Sequence, residues 1–425
     1  MSNNEQAKIP FSVAVLININ IVVGNAFFIG APQLVNTCGL LAPLAWMVCG
    51  IFLLPLVVVF AKLSRMYPTV GGIYIYSLKH LGQFWGFVSG WGYYIGTAAA
   101  NAFVLHIFCQ GIQSIELLQS TLNFCFLSGT NLDFALIALF TVFNLLNVEF
   151  LERVQIGLTL IKIIPFALVL IAIPALFSFS NIASATPNFT GLINTVPMAL
   201  FAYVGFEACC AIAEKIEDGQ RNASKVIFIS FGLVIVIYTL FQALLLGLHG
   251  AQTTNPFLEI LPKLTSNTML IGVGNYLVNF AILASFLAGF YGMFYYNNWN
   301  LYSMGRENSI LFSKQLTKLN KNQAPWVSVI VGGVLVALFL LITTNSEYLV
   351  NMSDFATTLT YFLSTISFIV VFKKLYGYLA IASSLMLVSI FVYNLTNAGM
   401  QYILPFFIIL GLGLAAHKVN EWQNI

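Results

Sequence analysis

Apolar residues fill long continuous stretches of this chain, and only short polar connections separate them. A helix that crosses a bilayer needs about 20 predominantly apolar residues. By this criterion the pattern predicts twelve membrane-spanning helices and no separate soluble domain. Their predicted bounds are 11–35, 41–61, 84–110, 133–148, 154–177, 191–213, 226–248, 271–297, 326–344, 351–372, 376–394 and 398–416.

The composition supports a membrane protein and excludes several other classes. Of the 425 residues, 59% are hydrophobic and only 7% are charged. A soluble domain carries about 25% charged residues, so this chain has too few to cover a surface that faces water. A soluble enzyme and a nucleic-acid-binding protein are therefore excluded, and the lipid bilayer is the expected surrounding.

The distribution of lysine and arginine predicts the orientation. If the N-terminus is cytoplasmic and the connections alternate, 15 of the 17 basic residues lie on the cytoplasmic side, which agrees with the positive-inside rule. We therefore expect a multi-pass protein of the inner (cytoplasmic) membrane with both termini in the cytoplasm. The 15 residues are Lys8, Lys62, Arg65, Lys79, Arg153, Lys215, Arg221, Lys225, Arg306, Lys314, Lys318, Lys321, Lys373, Lys374 and Lys418.

Metal and redox chemistry have no support in the sequence. The six cysteines mostly lie inside apolar runs, without the spacing of a zinc site or of a disulfide framework. None of the four histidines forms a ligand pair, and His106 is expected to be structural. We expect no metal site, no cofactor and no enzymatic activity.

Helix breakers occur at matching positions of the two halves. The first span contains Gly24 followed by Asn25, and the sixth span contains Gly205 followed by Phe206 and Glu207. Each of these spans opens a set of five. Broken helices at corresponding positions are typical of transporters built from inverted repeats, and the unwound backbone can bind a substrate. Close helix packing through small residues is the alternative.

Two ionisable residues, Lys162 and Glu207, are predicted inside spans. A charge inside the bilayer is costly unless it meets a partner or a water-filled cavity, so each indicates function. A structural ion pair is the alternative. Asp133 and Asp354 are placed at span ends, within reach of water.

A polar stripe on the third span is a candidate lining of a cavity. Tyr93, Thr97 and Asn101 are spaced at i, i+4 and i+8 and therefore share one helical face. Tyr296, near the end of the eighth span, is a further candidate, for which an interfacial aromatic belt is the competing interpretation.

Four stretches together resemble the amino acid–polyamine–organocation transporters. They are Gly24–Phe28, Tyr67–Tyr76 (the Pro-x-x-Gly-Gly-x-Tyr-x-Tyr motif, followed by Gly82, Gly86, Gly90 and Trp91), Phe201–Ala223 and Met304–Pro325. The resemblance implies an all-α membrane fold with a five-plus-five inverted-repeat core and two peripheral helices. The repeats would be about 11–178 and 190–373 and the peripheral helices about 376–416, within one transporter domain of residues 1–425.

The resemblance also implies a site residue by residue. The N–H groups of Asn25 and Ala26, next to Gly24, would hold the carboxylate of an amino acid. Its ammonium would bind to backbone carbonyl groups, and side chains would shape the pocket and its gates. Glu207 matches an acidic residue that links protons to gating in the arginine/agmatine exchangers. The carbonyls are those of Val22, Phe201 and Val204, beside the flexible Gly205, and the side chains are those of Tyr93, Asn101, Phe201 and Tyr296.

The departures from the family pattern bear on the substrate. Ala26 replaces a glycine, and Phe201 stands where arginine exchangers place a gating tryptophan, which weakens a cation–π site. Lys162 follows Arg153-Val154-Gln155, as in neutral amino-acid exchangers and some proton-coupled members. The sequence therefore predicts a secondary transporter for amino acids, either an exchanger or a proton-coupled permease. A cationic amino acid or polyamine antiporter is the alternative, and both a monomer and a homodimer remain open.

Overall fold

The architecture is entirely helical within the residues that the structure, a computed structural model, describes: 8–251, 253–372, 375–397 and 400–423. The first half contains α1 (Phe11–Val22), α2 (Asn25–Cys38), α3 (Ala42–Met66), α4 (Gly72–Leu81), α5 (Gln83–Gln113), α6 (Glu116–Phe124), α7 (Thr130–Asn144), α8 (Val148–Leu176) and α9 (Phe179–Ser184). The second half contains α10 (Phe189–Phe201), α11 (Gly219–His249), α12 (Ile260–Leu264), α13 (Thr268–Arg306), α14 (Ser313–Leu316), α15 (Trp326–Ile342), α16 (Ser346–Val371), α17 (Leu375–Asn397) and α18 (Met400–Gln423).

The predicted spans correspond to these helices. Six of them, α3, α5, α8, α11, α13 and α16, are long and apolar enough to cross a bilayer, and α1 with α2 forms a span bent by 47°. Shorter apolar helices occupy the fourth, ninth, eleventh and twelfth predicted spans. The prediction of an all-helical membrane protein with about twelve spans is confirmed.

Polar residues between the apolar runs start several of the long helices. The side chain of Asn267 accepts hydrogen bonds from two N–H groups in the first turn of α13, and Asn345 does the same for α16. Asn147 caps α8 in the same way. Such capping by asparagine contributes about 0.5–2 kcal/mol to each helix. The same short polar segments that predict connections therefore also determine where the helices begin.

The core lies around α5, which packs against α4, α13, α15 and α16. Glycine permits two of these close approaches. A Cβ atom on Gly96 would lie 2.4 Å from the Cβ of Ala356 in α16, and one on Gly90 would lie 2.6 Å from the ring of Tyr74 in α4. By contrast, large apolar side chains on other helices are exposed, including Phe52, Leu160 and Leu341. Such faces fit the hydrocarbon of a bilayer.

One end of the bundle is held together by contacts between segments that are far apart in sequence. The N–H of Ile9 donates to the carbonyl of Lys215 at 2.8 Å, and the N–H of Gly71 donates to that of Ala211 at 2.8 Å. A guanidinium nitrogen of Arg306, at the end of α13, lies 3.2 Å from a carboxylate oxygen of Glu214. The first two contacts join the first half of the chain to the second half, and the third joins two segments of the second half at the same end of the bundle.

Candidate substrate site

The first span is unwound at Val23 and Gly24. The N–H of Gly24 turns back to the carbonyl of Val22 at 2.8 Å, and α2 then begins without a side-chain cap. The first N–H groups of a helix have no partner within the helix and carry the positive end of its dipole. The start of α2 can therefore bind an anionic group through backbone donors. The side chain of Asn25 lies outside the described residues.

The sixth span is broken more extensively. α10 ends at Phe201, and turns follow until two short 3₁₀ helices, Ala208–Ala211 and Ala213–Lys215. Gly205 has φ of +103°, and a Cβ there would lie 2.7 Å from Cγ2 of Ile21. Both facts require glycine, since other residues are strained at this φ. The break predicted here is present, although its second half is not the α-helix that the apolar run indicates.

The two breaks meet at a cavity of about 80 Å³, which we call the central cavity. It brings together seven of the predicted site residues. Its further lining residues come mainly from α5, α13 and α16, and those of α13 and α16 include Gly289, Phe290, Met293, Ser353 and Thr357. The seven are Val22, Gly24, Ala26, Tyr93, Asn101, Val204 and Glu207.

The predicted stripe on α5 forms one wall of this cavity, because Tyr93, Thr97 and Asn101 all line it. Asn101 is 2% exposed, and its amide nitrogen has no hydrogen-bond partner among the described residues. An unpaired buried amide is costly, so it is a candidate donor to a ligand. Tyr296 is fully buried but does not line the cavity, and the side chain of Phe201 lies outside the described residues.

Glu207 is fully buried and lies at the end of the unwound segment of the sixth span, directly before the first 3₁₀ helix. The hydroxyl of Tyr93 donates to one of its carboxylate oxygens at 3.0 Å, and the N–H of Gly205 donates to the other at 3.0 Å. The carboxylate thus connects the cavity-lining face of α5 to the unwound part of the sixth span. Any change in its protonation alters a contact between these two elements.

Lys162 in α8 lies behind the first-span break rather than in the cavity. Its ammonium donates to the carbonyl of Val23 at 2.6 Å, to the carbonyl of Asn20 at 3.2 Å and to the side-chain oxygen of Asn20 at 3.1 Å. An ammonium has three N–H donors, and three acceptors surround this one. The lysine therefore fixes the backbone where α1 ends.

Tyr238 in α11 is a residue that the sequence analysis missed. Its hydroxyl lies 2.8 Å from the carbonyl of Val22 and 3.2 Å from that of Ala202, so one side chain contacts both breaks. Its ring stacks on Phe27 at a centroid distance of 4.8 Å. A tyrosine in an apolar run gives no sign of this role, because both acceptors are backbone carbonyls of distant segments.

Ser353 and Thr357 in α16 were missed as well, although the sequence carries a signal for them. Together with Thr360 and Ser364 they are spaced at i, i+4, i+7 and i+11, which places four hydroxyls on one face of a membrane helix. That face packs on α5, where the hydroxyl of Thr360 donates to the carbonyl of Ser89 at 3.3 Å.

His106 and Asp133 form a pair away from the cavity. Nδ1 of His106 lies 2.9 Å from Asp133, and Gln110 contacts its other nitrogen at 2.9 Å. The interpretation of His106 as a structural histidine agrees with this arrangement, whereas Asp133 is fully buried rather than within reach of water. No group of three or more potential metal ligands occurs within the described part of the chain.

Comparison with known proteins identifies the class to which this fold and cavity belong. A family model described as amino acid permease matches residues 10–413, so the chain belongs to that family. It is a multi-pass membrane transporter of amino acids and not an enzyme.

Individual relatives are distant. The chain is 23% identical to a serine/threonine exchanger of Bacillus subtilis, over 88% of this chain and 85% of the relative. It is 25% identical to an aspartate-proton symporter of the same organism, over 86% and 72% respectively. It is 24% identical to an arginine/ornithine antiporter of Latilactobacillus sakei, over 72% and 66%.

Proposed function

We propose that the protein moves small neutral amino acids across the cytoplasmic membrane by alternating access, with exchange as its main mode and both termini in the cytoplasm. The observation that carries this proposal is that the two broken spans meet at the central cavity. Rocking of one repeat (about 11–178) against the other (about 190–373) would expose such a cavity to each side in turn. The helices of about 376–416 are peripheral in this scheme.

The backbone at the breaks would hold the common part of every amino acid. We assign the substrate carboxylate to the N–H groups of Asn25 and Ala26, which start α2. The Val22 carbonyl already accepts hydrogen bonds from the N–H of Gly24 and the hydroxyl of Tyr238. We therefore assign the ammonium chiefly to the carbonyls of Phe201 and Val204.

The size and lining of the cavity support a small neutral side chain. A cavity needs about 10–15 Å³ to hold one water, and the central cavity, at about 80 Å³, has room for a small molecule. The polar groups facing the remaining space are neutral, including Asn101, Ser353 and Thr357. Glu207 is the charged exception among the described lining residues, and donors from the protein already engage both of its oxygens. The relatives are named for neutral, acidic and basic amino acids, so their names do not decide between these classes.

We expect L-serine and L-threonine to compete for transport better than putrescine or agmatine. Both compounds lack the carboxylate that the start of α2 would hold, and the described lining offers no free carboxylate for a distal cation. Competition against uptake of a labelled neutral amino acid in proteoliposomes measures this. If the diamines compete better, the proposal fails and the cationic amino acid or polyamine antiporter takes its place.

Exchange and proton-coupled uptake differ in their need for internal substrate. We expect uptake into proteoliposomes loaded with the same amino acid to exceed uptake into empty ones by more than an order of magnitude. Uptake into empty vesicles that follows an imposed proton gradient would contradict exchange and support a proton-coupled permease.

Glu207→Gln should flatten the pH dependence of transport while substrate binding remains. Glutamine keeps the size of the side chain and an acceptor for one of the two donors, but it does not titrate. The measurement is the rate of exchange between pH 5 and 8 together with substrate affinity. The matched control is Glu149→Gln, which changes an exposed glutamate at the start of α8 and should leave the profile unchanged. An unaltered profile in Glu207→Gln would show that this carboxylate does not link protons to gating.

A further inference from the structure

An exposed stripe runs along α3. The residues of α3 that are not buried recur at intervals of three or four positions, which places them on one face of the helix. Large apolar side chains occupy this face over most of its length, and two basic residues, Lys62 and Arg65, occupy its last turns. The exposed apolar members include Leu44, Val48, Ile51 and Leu54.

The neighbouring helix α17 packs against α3 and carries a similar stripe. Tyr378, in its first turn, is 72% exposed. The exposed residues Ile381, Leu385, Val388 and Val392 follow it on the same helical face. Two adjacent helices therefore expose apolar faces to the surroundings of the bundle, and we call the surface that these faces form the α3–α17 surface.

Basic and aromatic side chains meet at one end of this surface. Nζ of Lys62 lies 4.6 Å from the ring centroid of Tyr376, in the first turn of α17. Arg65 is exposed and lies three residues after Lys62, so the two side chains are neighbours on α3. We call the group formed by Lys62, Arg65, Tyr376 and Tyr378 the basic rim.

The basic rim lies at the same end of the bundle as the ion pair of Glu214 and Arg306. α3 ends at Met66, and the N–H of Val70, shortly after it, lies 3.4 Å from a carboxylate oxygen of Glu214. In the proposed orientation this end faces the cytoplasm. The rim is therefore at the level of the headgroups of the cytoplasmic leaflet, and the two stripes extend from it into the bilayer.

The positive charge of the rim is not neutralised by the protein. None of the ion pairs found within the described residues involves Lys62 or Arg65. In addition, neither α3 nor α17 contains an acidic residue. An ammonium has three N–H donors, so contact with the ring of Tyr376 leaves donors of Lys62 for an anion. The planar guanidinium of Arg65 can bind a phosphate through two parallel hydrogen bonds.

A phospholipid matches both parts of this surface. Basic groups between membrane helices on the cytoplasmic side bind anionic headgroups, and tyrosine is enriched where headgroups meet the hydrocarbon. A free phosphate would use the charges alone, whereas the acyl chains of a lipid also cover the adjoining apolar stripes.

We infer that the α3–α17 surface is a binding site for an anionic phospholipid of the cytoplasmic leaflet, with the phosphate at Lys62 and Arg65 and the acyl chains along the two stripes. The bound lipid would connect a helix of the first repeat to a peripheral helix. The inference uses the proposed orientation but does not depend on the transported substrate.

Lipid retention by the purified protein tests this inference. The protein is exchanged into micelles that contain equimolar palmitoyl-oleoyl phosphatidylglycerol and phosphatidylcholine, and native mass spectrometry counts each lipid that stays bound. We expect the wild type to prefer phosphatidylglycerol about twentyfold, and Lys62→Gln or Arg65→Gln to prefer it about fivefold, since each basic residue near a headgroup contributes roughly a factor of five. The double variant should show little preference.

The matched control is Lys314→Gln with Lys318→Gln, which removes two exposed lysines shortly after Arg306. It should keep the preference of the wild type. Lys62→Arg retains the charge and should also keep it. Thermal unfolding in phosphatidylcholine alone verifies that all variants are folded.

Three results would overturn the inference. The wild type could retain both lipids equally, which would exclude an anionic site. The control pair could lose the preference as fully as the double variant, which would show attraction by overall charge. Inorganic phosphate could remove the preference more effectively than sodium chloride of equal ionic strength, which would show a site for the free anion. No transport is measured, so each failure is distinguishable from failure of the proposed function.

Discussion

Transport should fall below detection when Ala26 is replaced by proline, while the protein is still recovered folded from the membrane. Proline has no N–H, so the start of α2 loses one of the two donors assigned to the substrate carboxylate. A hydrogen bond to a charged group contributes about 1.5–3 kcal/mol, which corresponds to a loss of roughly ten- to a hundredfold in affinity. The ring also fills space in the central cavity, which Ala26 lines.

The fold should tolerate this proline because of its place in the helix. Ala26 is the second residue of α2, and N–H groups of a first turn have no acceptor within the helix. Ala26→Gly is the matched control, since it keeps the N–H and should transport at a rate close to that of the wild type. Substrate binding assays on purified protein, with thermal unfolding as the check on folding, provide the measurement. Native affinity in Ala26→Pro would contradict the assigned carboxylate site.

The features that could be predicted from sequence are those with a local signal. Apolar runs identify the spans, and Gly24 and Gly205 mark both breaks, because unwinding needs residues that tolerate unusual backbone angles. Helical spacing alone places Tyr93 and Asn101 on one face, and both line the central cavity. The predicted bounds are accordingly close to the helices observed, except in the sixth span, where α10 ends at Phe201.

The features that could not be predicted depend on contacts between distant segments. The amide of Asn18 donates to the carbonyl of Phe206 at 2.9 Å and to the hydroxyl of Ser230 at 2.7 Å, which connects three spans. Polarity in the first span is visible in the sequence, but its partners are not. The same applies to Tyr238, and to the 3₁₀ turns after Phe201, since an apolar run has the same composition whether it is helical or unwound.

Lys162→Ala should reduce exchange by more than an order of magnitude without changing its pH profile. The ammonium of Lys162 donates to the backbone of both Asn20 and Val23, directly before Gly24. Its loss leaves buried carbonyls unpaired, at a cost of about 1–3 kcal/mol for each group. The end of α1 would then no longer be held in the position that brings Gly24 and Ala26 to the central cavity.

A second variant separates this structural role from proton transfer. Asn20 contacts Lys162 through its side-chain oxygen at 3.1 Å, and its amide nitrogen donates to Gln155 at 2.9 Å and to Thr159 at 2.7 Å. Asn20→Ala removes these contacts to α8 but no titratable group, so it should reproduce part of the loss of exchange if Lys162 fixes the break. Lys79→Ala, at an exposed lysine, is the control for loss of a positive charge and should have no effect.

The proton-carrier role requires the opposite pattern: Lys162→Ala abolishes proton-driven uptake but retains exchange, and Asn20→Ala behaves as the wild type. Rates of exchange and of proton-driven uptake, measured for these variants over one pH series, therefore decide whether Lys162 acts on the backbone or on protons.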